Sequence, residues 1–294
     1  MAIDISVILP NNNSLTLLRR MIASIPDKES IQIIVVDNSP VPLKADDICR
    51  GRNNVSVYYS SPQRGAGGAR NEGLLHAVGR WLLFADADDF YTPEAFSIFE
   101  ADLQSPCDVI YYGWTSCYSD TLQSANRDYV IRQYISAYQN GNDTFLRYYW
   151  DSPCGKLVKR SLVETYHIRF EEVPAGNDMG FSVRVGTFAQ TVKAVNKAVY
   201  CATILQGSII HTPSNRNIAS RFQSVVRLNT FLKQHHLRRY RHSVMRLWID
   251  AWRCSPLLAL RLWVYSIKKG NSVFIGYGRW INTACMLHRH KPKV

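Results

Sequence analysis

Three carboxylates within four residues, Asp86, Asp88 and Asp89, follow the apolar run Trp81-Leu82-Leu83-Phe84-Ala85. Acidic groups this close repel and raise one another's pKa, so such a set is normally held by a cation. Hard oxygen ligands in small number suit Mg²⁺ or Mn²⁺, which keep positions open for the phosphate oxygens of a ligand. Five apolar residues are too few for a helix and describe a buried strand whose carboxyl end delivers a polar site. If the strand persists, Asp86 and Asp88 point the same way and Asp89 the other, with Thr92-Pro93 starting a helix. The plainer alternative is a polar turn that caps that helix.

The elements that must carry this cluster alternate. Ile3 to Leu9 reads as a strand stopped by Pro10, and Asn13 or Ser14 caps a helix with Leu17, Leu18, Met21, Ile22 and Ile25 on one face, ended by Pro26. Ile31 to Val36 is a second strand, delivering Asp37-Asn38-Ser39-Pro40, and Val55 to Tyr59 a third. Gly65 to Ala77 is a Gly-rich turn entering a helix, and Trp81 to Ala85 is the fourth strand. Strands alternating with helices predict an α/β fold with a doubly wound, mostly parallel sheet, whose ligands bind at the carboxyl ends of the strands. Beyond Pro93 come a helix to Leu103, a strand at Val109 to Trp114, a less regular Tyr-rich region to Trp150, a short strand near Lys156 and another at Val199 to Leu205.

Other candidates carry weaker signals. The glycines at 65, 67, 68 and 73 do not match G-x-G-x-x-G and follow the third strand rather than the first. They serve either close helix packing or an anion site at a helix start, with Arg70 facing the ligand. Asp178, in Gly176-Asn177-Asp178, opens a helix at about Met179 and could be only a cap. His211, alone, is of a type more often structural than metal-binding.

Composition limits the classes. A chain of 294 residues, 46% hydrophobic, can bury a full core. Seven scattered cysteines with no C-x-x-C pair argue against a disulfide framework or zinc site and suit a reducing compartment. The start, Met1 to Ile5, carries no basic and apolar leader pattern, so a cytoplasmic location is expected. The formal charge of +12 lies in the tail: residues 1–150 hold 12 Lys and Arg against 17 Asp and Glu, net −5, whereas residues 211–294 hold 16 against Asp250 alone, net +15.

Over Ile3 to His211 the sequence resembles the family 2 glycosyltransferases, GT-A-fold enzymes of bacterial surface-polysaccharide synthesis. The resemblance rests on Pro10-Asn11-Asn12-Asn13, on Val35-Val36-Asp37-Asn38-Ser39, on Arg64-Gly65 through Ala69-Arg70-Asn71-Glu72-Gly73, on Phe84-Ala85-Asp86-Ala87-Asp88-Asp89, on Cys154-Gly155-Lys156-Leu157 and on Gly176-Asn177-Asp178. Asn12, Asn38 and Asn177 depart from the family's usual Tyr, Asp and Glu but leave the carboxylates intact. The resemblance implies a metal-dependent inverting hexosyltransferase that uses a nucleotide-sugar, most simply a UDP-sugar. Its donor would be bound by Pro10, Asn12, Asp37, Arg70, Asp86, Ala87 and Lys156, with Asp37 accepting the uracil N3 hydrogen and Asp86 serving the ribose. Mn²⁺ or Mg²⁺ would sit on Asp88, with His211 as a further ligand, and Asp178 would be the catalytic base. Residues 1–212 would form the GT-A catalytic domain, the nucleotide-sugar half at about 1–115 and the acceptor half at about 116–212. The acceptor would be a glycan, lipid-linked, of an O-antigen, capsule or lipooligosaccharide. A non-catalytic nucleotide-sugar or glycan-binding protein of the same fold is the alternative.

Residues 213–294 lie beyond the resemblance and read as a basic, amphipathic helical region. Val244, Leu247, Trp248, Ala251 and Trp252 fall at helical spacing, and Ser255-Pro256 starts another helix. Trp263, Tyr265, Phe274, Tyr277 and Trp280 follow among Lys268, Lys269 and Arg279. Aromatic and basic residues together predict that residues 243–294 meet an anionic membrane surface at the inner face of the cell membrane, in preference to nucleic acid. A helical cap on the core is the plain alternative.

Overall fold

The computed structural model describes residues 2–204 and 214–276. The chain divides into two compact units, one of residues 1–173 and 177–208, the other of residues 174–176 and 209–294. In the first, strands and helices alternate: β1 (Ile5–Asn11), α1 (Leu15–Ala23), β2 (Ile31–Asp37), α2 (Ala45–Cys49), β3 (Val55–Tyr59), α3 (Gly65–His76), β4 (Trp81–Phe84), β5 (Phe90–Tyr91) and α4 (Ala95–Asp102). There follow β6 (Val109–Tyr118), α5 (Tyr129–Gln139), α6 (Thr144–Tyr148), β7 (Lys156–Lys159), α7 (Arg160–Thr165), α8 (Asn177–Phe188) and β8 (Val192–Ile204).

The eight strands form one mixed sheet in the order β3-β2-β1-β4-β7-β6-β8-β5. β1 runs parallel to both β2 and β4, so chain order reverses across it, and the carboxyl ends of β1, β2 and β4 open on a switch point of the kind that binds ligands. β7 is antiparallel to β4 and β6. Alternate strand residues enter opposite layers. Val7, Leu9, Ile33, Val35 and Leu83 pack with Leu18, Met21, Phe96 and Phe99 of α1 and α4. Ile8, Ile34, Val36, Leu82 and Phe84 pack with Ala69, Ile131, Phe181 and Val185 of α3, α5 and α8. Burial on both faces is why these strands read as continuous apolar runs.

Several elements differ from expectation. β1 continues past Pro10 to Asn11, the proline standing in register with Val36. No helix starts at Thr92-Pro93; β5 intervenes, pairing antiparallel with β8, and α4 begins at Ala95. The Tyr-rich region holds two helices, α5 burying only Ile131 and Ile135 and α6 only Leu146. The longest strand, β8, starts at Val192, seven residues before the expected Val199, because its first half is only partly buried and lacks an apolar run.

The second unit, where described, contains α9 (Asn215–Gln234), α10 (Met245–Cys254) and α11 (Pro256–Lys268), packed on one another. Ser255 Oγ accepts the Leu258 N–H at 3.3 Å, and Pro256 is the first residue of α11. Trp248 Nε1 donates to the Ala259 carbonyl at 3.1 Å and ties α10 to α11. No helix among the described residues is long and apolar enough to cross a membrane. His211, Tyr277, Arg279 and Trp280 lie outside the described residues.

The glycines of α3 serve close packing. A Cβ on Gly67 would run into the Glu171 backbone carbonyl, one on Gly73 would stand 2.5 Å from Ile8 Cγ2, and one on Gly68 would run into Arg64 Cβ, an atom fixed by its own backbone; on Gly180 of α8, by contrast, a Cβ would crowd only the guanidinium end of Arg184, at 2.8 Å. A helix gains about 1 kcal/mol from Gly to Ala, but forcing backbone apart costs roughly 1–3 kcal/mol. Gly67→Ala should therefore lower the unfolding free energy by up to about 2 kcal/mol in urea titrations, whereas Gly180→Ala, where the Arg184 side chain can swing aside, leaves it unchanged or raises it. Equal effects at both positions would mean that α3 has room to move away from Glu171.

Candidate active site

After β4 the chain leaves the sheet and presents Asp86 and Asp88 part-exposed, with Ala87 and Asp89 buried. This loop is clamped from β8. Tyr200 Oη accepts the Asp86 N–H at 3.0 Å and donates to Asp89 Oδ2 at 2.6 Å. The Thr203 N–H donates to Asp89 Oδ1 at 2.6 Å, and its hydroxyl donates to the Asp88 carbonyl at 2.8 Å. The Arg20 guanidinium of α1 donates to the same carbonyl. Asp89, expected to turn away from its neighbours, thus anchors the loop with both carboxylate oxygens.

One oxygen from each of Asp86, Asp88 and Asp89 lies within 4.8 Å of the others. Burial pushes the Asp89 carboxyl up to about 8, with the charges of Asp86 and then Asp88 acting the same way. Burial, then Asp86, also raises Asp88. Crowded carboxylates of this kind fit a small hard cation, which would relieve the repulsion. Because both oxygens of Asp89 are engaged by Tyr200 and Thr203, the Asp88 carboxylate, with the Asp86 oxygen that Arg70 does not hold, is the pair left to meet such an ion.

The opposite wall is held by Arg70. This α3 residue is only 3% exposed. Its Nη2 donates to Asp86 Oδ1 at 2.5 Å, and its Nη1 donates to Asp178 Oδ1 at 2.8 Å and Asn177 Oδ1 at 2.9 Å. Burial works to lower the guanidinium's pKa, but the Asp178 and Asp86 charges outweigh it, so Arg70 stays cationic. Asp178 stands in the first turn of α8. Burial raises its carboxyl, Arg70 opposes that, and Asp86 adds to it. The side chains of Asp86 and Asp178 remain 42% and 39% exposed. One buried cation therefore joins the carboxylate loop to the candidate base, and Asn177 supplies an acceptor without another negative charge.

The remaining expected contacts are less open. Asp37 is buried at the end of β2, where Oδ1 accepts Asn11 Nδ2 at 2.8 Å and Ser39 Oγ at 2.6 Å, and Oδ2 accepts the Leu43 N–H at 2.8 Å. Pro10 is buried and Asn12 exposed. Lys156, expected against the donor, is enclosed: its Nζ donates to the Trp150 carbonyl at 2.9 Å and faces the Tyr111 and Trp150 rings at 5.2 and 5.7 Å. Burial lowers its ammonium to about 7, against the pull of Asp151, Cys154 and Asp178. An ammonium in that setting packs the interior and offers no surface charge to a diphosphate.

Sequence reasoning missed Arg20, Tyr200 and Thr203, which lie far along the chain from the acidic loop. The available signal was Tyr200 itself, since a tyrosine in a buried apolar strand needs a partner for its hydroxyl.

Comparison with known proteins bears on this geometry. The family model described as Glycosyl transferase family 2 matches residues 6–166. The chain is 24% identical over 221 residues to the putative glycosyltransferase EpsH of Bacillus subtilis, covering 70% of this chain and 62% of that protein. It is 25% identical over 220 residues to the glycosyltransferase GlyA of Streptococcus pneumoniae, covering 70% of this chain and 31% of that one. The chain thus spans less than two thirds of the length of these curated relatives. Among solved structures, Staphylococcus aureus TarS 1–349 in complex with UDP-GlcNAc superposes with a TM-score of 0.68 at 18% identity, covering 91% of this chain and 81% of that one. The mannosyltransferase PcManGT of Pyrobaculum calidifontis, in complex with GDP-Man and Mn²⁺, gives 0.57 at 15% identity, covering 99% and 82%. These likenesses establish the GT-A fold.

Arg70 supplies a direct test of the site's electrostatics. Arg70→Met leaves two carboxylates without their shared partner and should cost roughly 2–4 kcal/mol of stability at neutral pH. The deficit should shrink in mild acid, where the Asp178 carboxyl, already raised by burial and now without Arg70, takes up a proton at less cost. Chemical denaturation of wild type and variant at both pH values reads this directly; a deficit independent of pH would make Arg70 a packing residue.

Proposed function

Because this chain belongs to glycosyl transferase family 2, we propose that the cleft between the Asp86–Asp88 loop and Asp178 transfers a sugar from a nucleotide-sugar to a hydroxyl, with inversion at the anomeric carbon. The observation that carries the reading is the Arg70 bridge, which holds the acidic loop and a part-exposed carboxylate against one another at 2.5 and 2.8 Å.

Each residue has work in that reaction. Asp178 would take the proton from the acceptor hydroxyl as it attacks, a role worth about 10²–10⁴-fold. Its raised pKa suits a base, and Arg70 would hold its Oδ1 and leave the second oxygen to the acceptor. Asp37, oriented by Asn11, Ser39 and the Leu43 amide, would receive the N3 hydrogen of a uracil ring as a further donor, with Pro10 and Asn12 beside it. Asp86 would meet the ribose, and Asp89, through Tyr200 and Thr203, would keep the loop from moving as charge develops. Mn²⁺ or Mg²⁺, held by Asp88 with Asp86 beside it, would stabilise the charge on the departing nucleoside diphosphate. The identity of the ligand in TarS supports a UDP-sugar, and that in PcManGT supports a divalent ion. We assign residues 1–212 to catalysis, and the acceptor to a lipid-linked glycan of a surface polysaccharide, met at the inner face of the cell membrane.

Asp178→Asn distinguishes a base from a helix cap, because Asn caps about as well but cannot take a proton. The variant should bind UDP in calorimetry as the wild type does and transfer sugar about 10²–10⁴-fold more slowly. In the wild type, transfer should fall as pH drops through the raised pKa of Asp178, since the protonated form is inactive. Turnover near wild type in the folded variant would remove Asp178 from the chemistry.

A further inference from the structure

Helix α11 is apolar on two faces. Ala259, Leu262 and Ser266 are buried against the rest of the second unit, and Ser266 Oγ donates to the Asn271 carbonyl at 3.0 Å. A second set, Leu257, Leu260, Trp263, Val264 and Ile267, is between 39% and 56% exposed. At 100° per residue these five fall on one stripe about 120° wide, running the length of a helix about 20 Å long. Phe274, just beyond it, is also exposed. The stripe expected from sequence on α10 is largely spent on packing, with Val244 and Ala251 buried and Trp248 bonded to α11.

Its surroundings identify what covers it. Exposed Arg261 and Lys268 stand one helical turn beyond Leu257 and Val264, along one edge of the stripe, and exposed Lys269 follows at the end of the helix, where its long side chain is not bound to one face. Over residues 214–276 the chain carries 12 Lys and Arg against Asp250 alone, net +11. A second copy of this surface would bring like charges together, and nucleic acid stacks on aromatic rings rather than on Leu, Val and Ile. An aliphatic stripe with one tryptophan and a basic rim, on a helix too short to cross a bilayer, matches the interface of an anionic phospholipid membrane, where acyl chains take the stripe and headgroups the basic side chains.

We infer that α11 lies in the plane of an anionic phospholipid surface with Leu257, Leu260, Trp263, Val264 and Ile267 inserted and Arg261, Lys268 and Lys269 on headgroups. This names the surface at which the proposed transfer meets its acceptor and rests on that reading for its meaning, although lipid contact is measured without turnover. The full chain should co-sediment with phosphatidylglycerol-containing vesicles and not with phosphatidylcholine vesicles, less so as salt rises. The triple variants Leu260→Ser/Trp263→Ser/Ile267→Ser and Arg261→Gln/Lys268→Gln/Lys269→Gln should each lose about tenfold or more in partitioning while keeping the wild-type melting temperature. Should a triple variant not fold, the blue shift of tryptophan fluorescence on vesicles, present in wild type and reduced in Trp263→Phe, reads the same contact. Donor hydrolysis without vesicles tests the enzyme reading separately and should be unchanged in both variants. Wild-type binding indifferent to the apolar variant overturns the inference, as does absence of binding. So does a self-associating wild type that the substitutions render monomeric, or a stripe that binds vesicles only after residues 277–294 are removed.

Discussion

Crowded negative charge is the constraint on which the catalytic unit depends. Asp86, Asp88 and Asp89 leave the same strand end within four residues, and Asp178 comes to the other side of the cleft. Left alone, these carboxylates would repel one another and resist burial. The fold answers with three different devices. Asp89 receives a tyrosine hydroxyl and a backbone amide from β8, so its burial is compensated by hydrogen bonds. Asp86 and Asp178 share the buried Arg70. Asp88 has its main chain fixed by Thr203 and Arg20, while its part-exposed carboxyl is raised by burial and by Asp86 against the pull of its own amide and of the Arg127 and Arg20 charges. That part-exposed position is where a divalent cation has the most to offer.

The same arrangement explains why the sheet is built as it is. β4 supplies the acidic loop, α3 supplies Arg70, α8 supplies Asp178 and β8 supplies the clamp, so four distant segments must be held in register. The glycines of α3 let that helix approach Ile8 and the Glu171 backbone closely enough for Arg70 to span the cleft. Close packing was one of the two readings of those glycines, and Gly67 and Gly73 have protein atoms where a Cβ would stand.

Strands buried on both faces were legible because Ile31–Asp37 and Trp81–Phe84 are nearly unbroken apolar runs, and the acidic loop was legible because charge so dense has few structural uses. What was not legible has a common cause. β5 is two residues long and exists only by pairing with β8; α5 shows one narrow apolar edge; the first half of β8 is partly exposed and so carries no run. Arg70 was expected to face a ligand, but its bridging of Asp86 and Asp178 depends on tertiary placement that spacing along the chain does not encode. The enclosure of Lys156 was hidden for the complementary reason, since a lysine in sequence reads as surface charge and only the packing of Tyr111 and Trp150 reveals it as buried. In the tail, helical periodicity found α10, yet the apolar stripe left open lies on α11, because a periodic pattern does not say which face a neighbouring helix will cover.

The central claim is that Asp86 and Asp88 form a cation site that acts together with a bound nucleoside diphosphate. Two ligands that meet in one site must change each other's affinity by the same factor, typically about 5–150-fold. Calorimetric titration of UDP into the full chain, with Mn²⁺ and with chelator, measures that factor directly. The account requires UDP to bind more tightly with Mn²⁺, Mn²⁺ to bind more tightly by the same factor with UDP, and the coupling to vanish in Asp88→Asn. UDP affinity identical with Mn²⁺ and with chelator would contradict it.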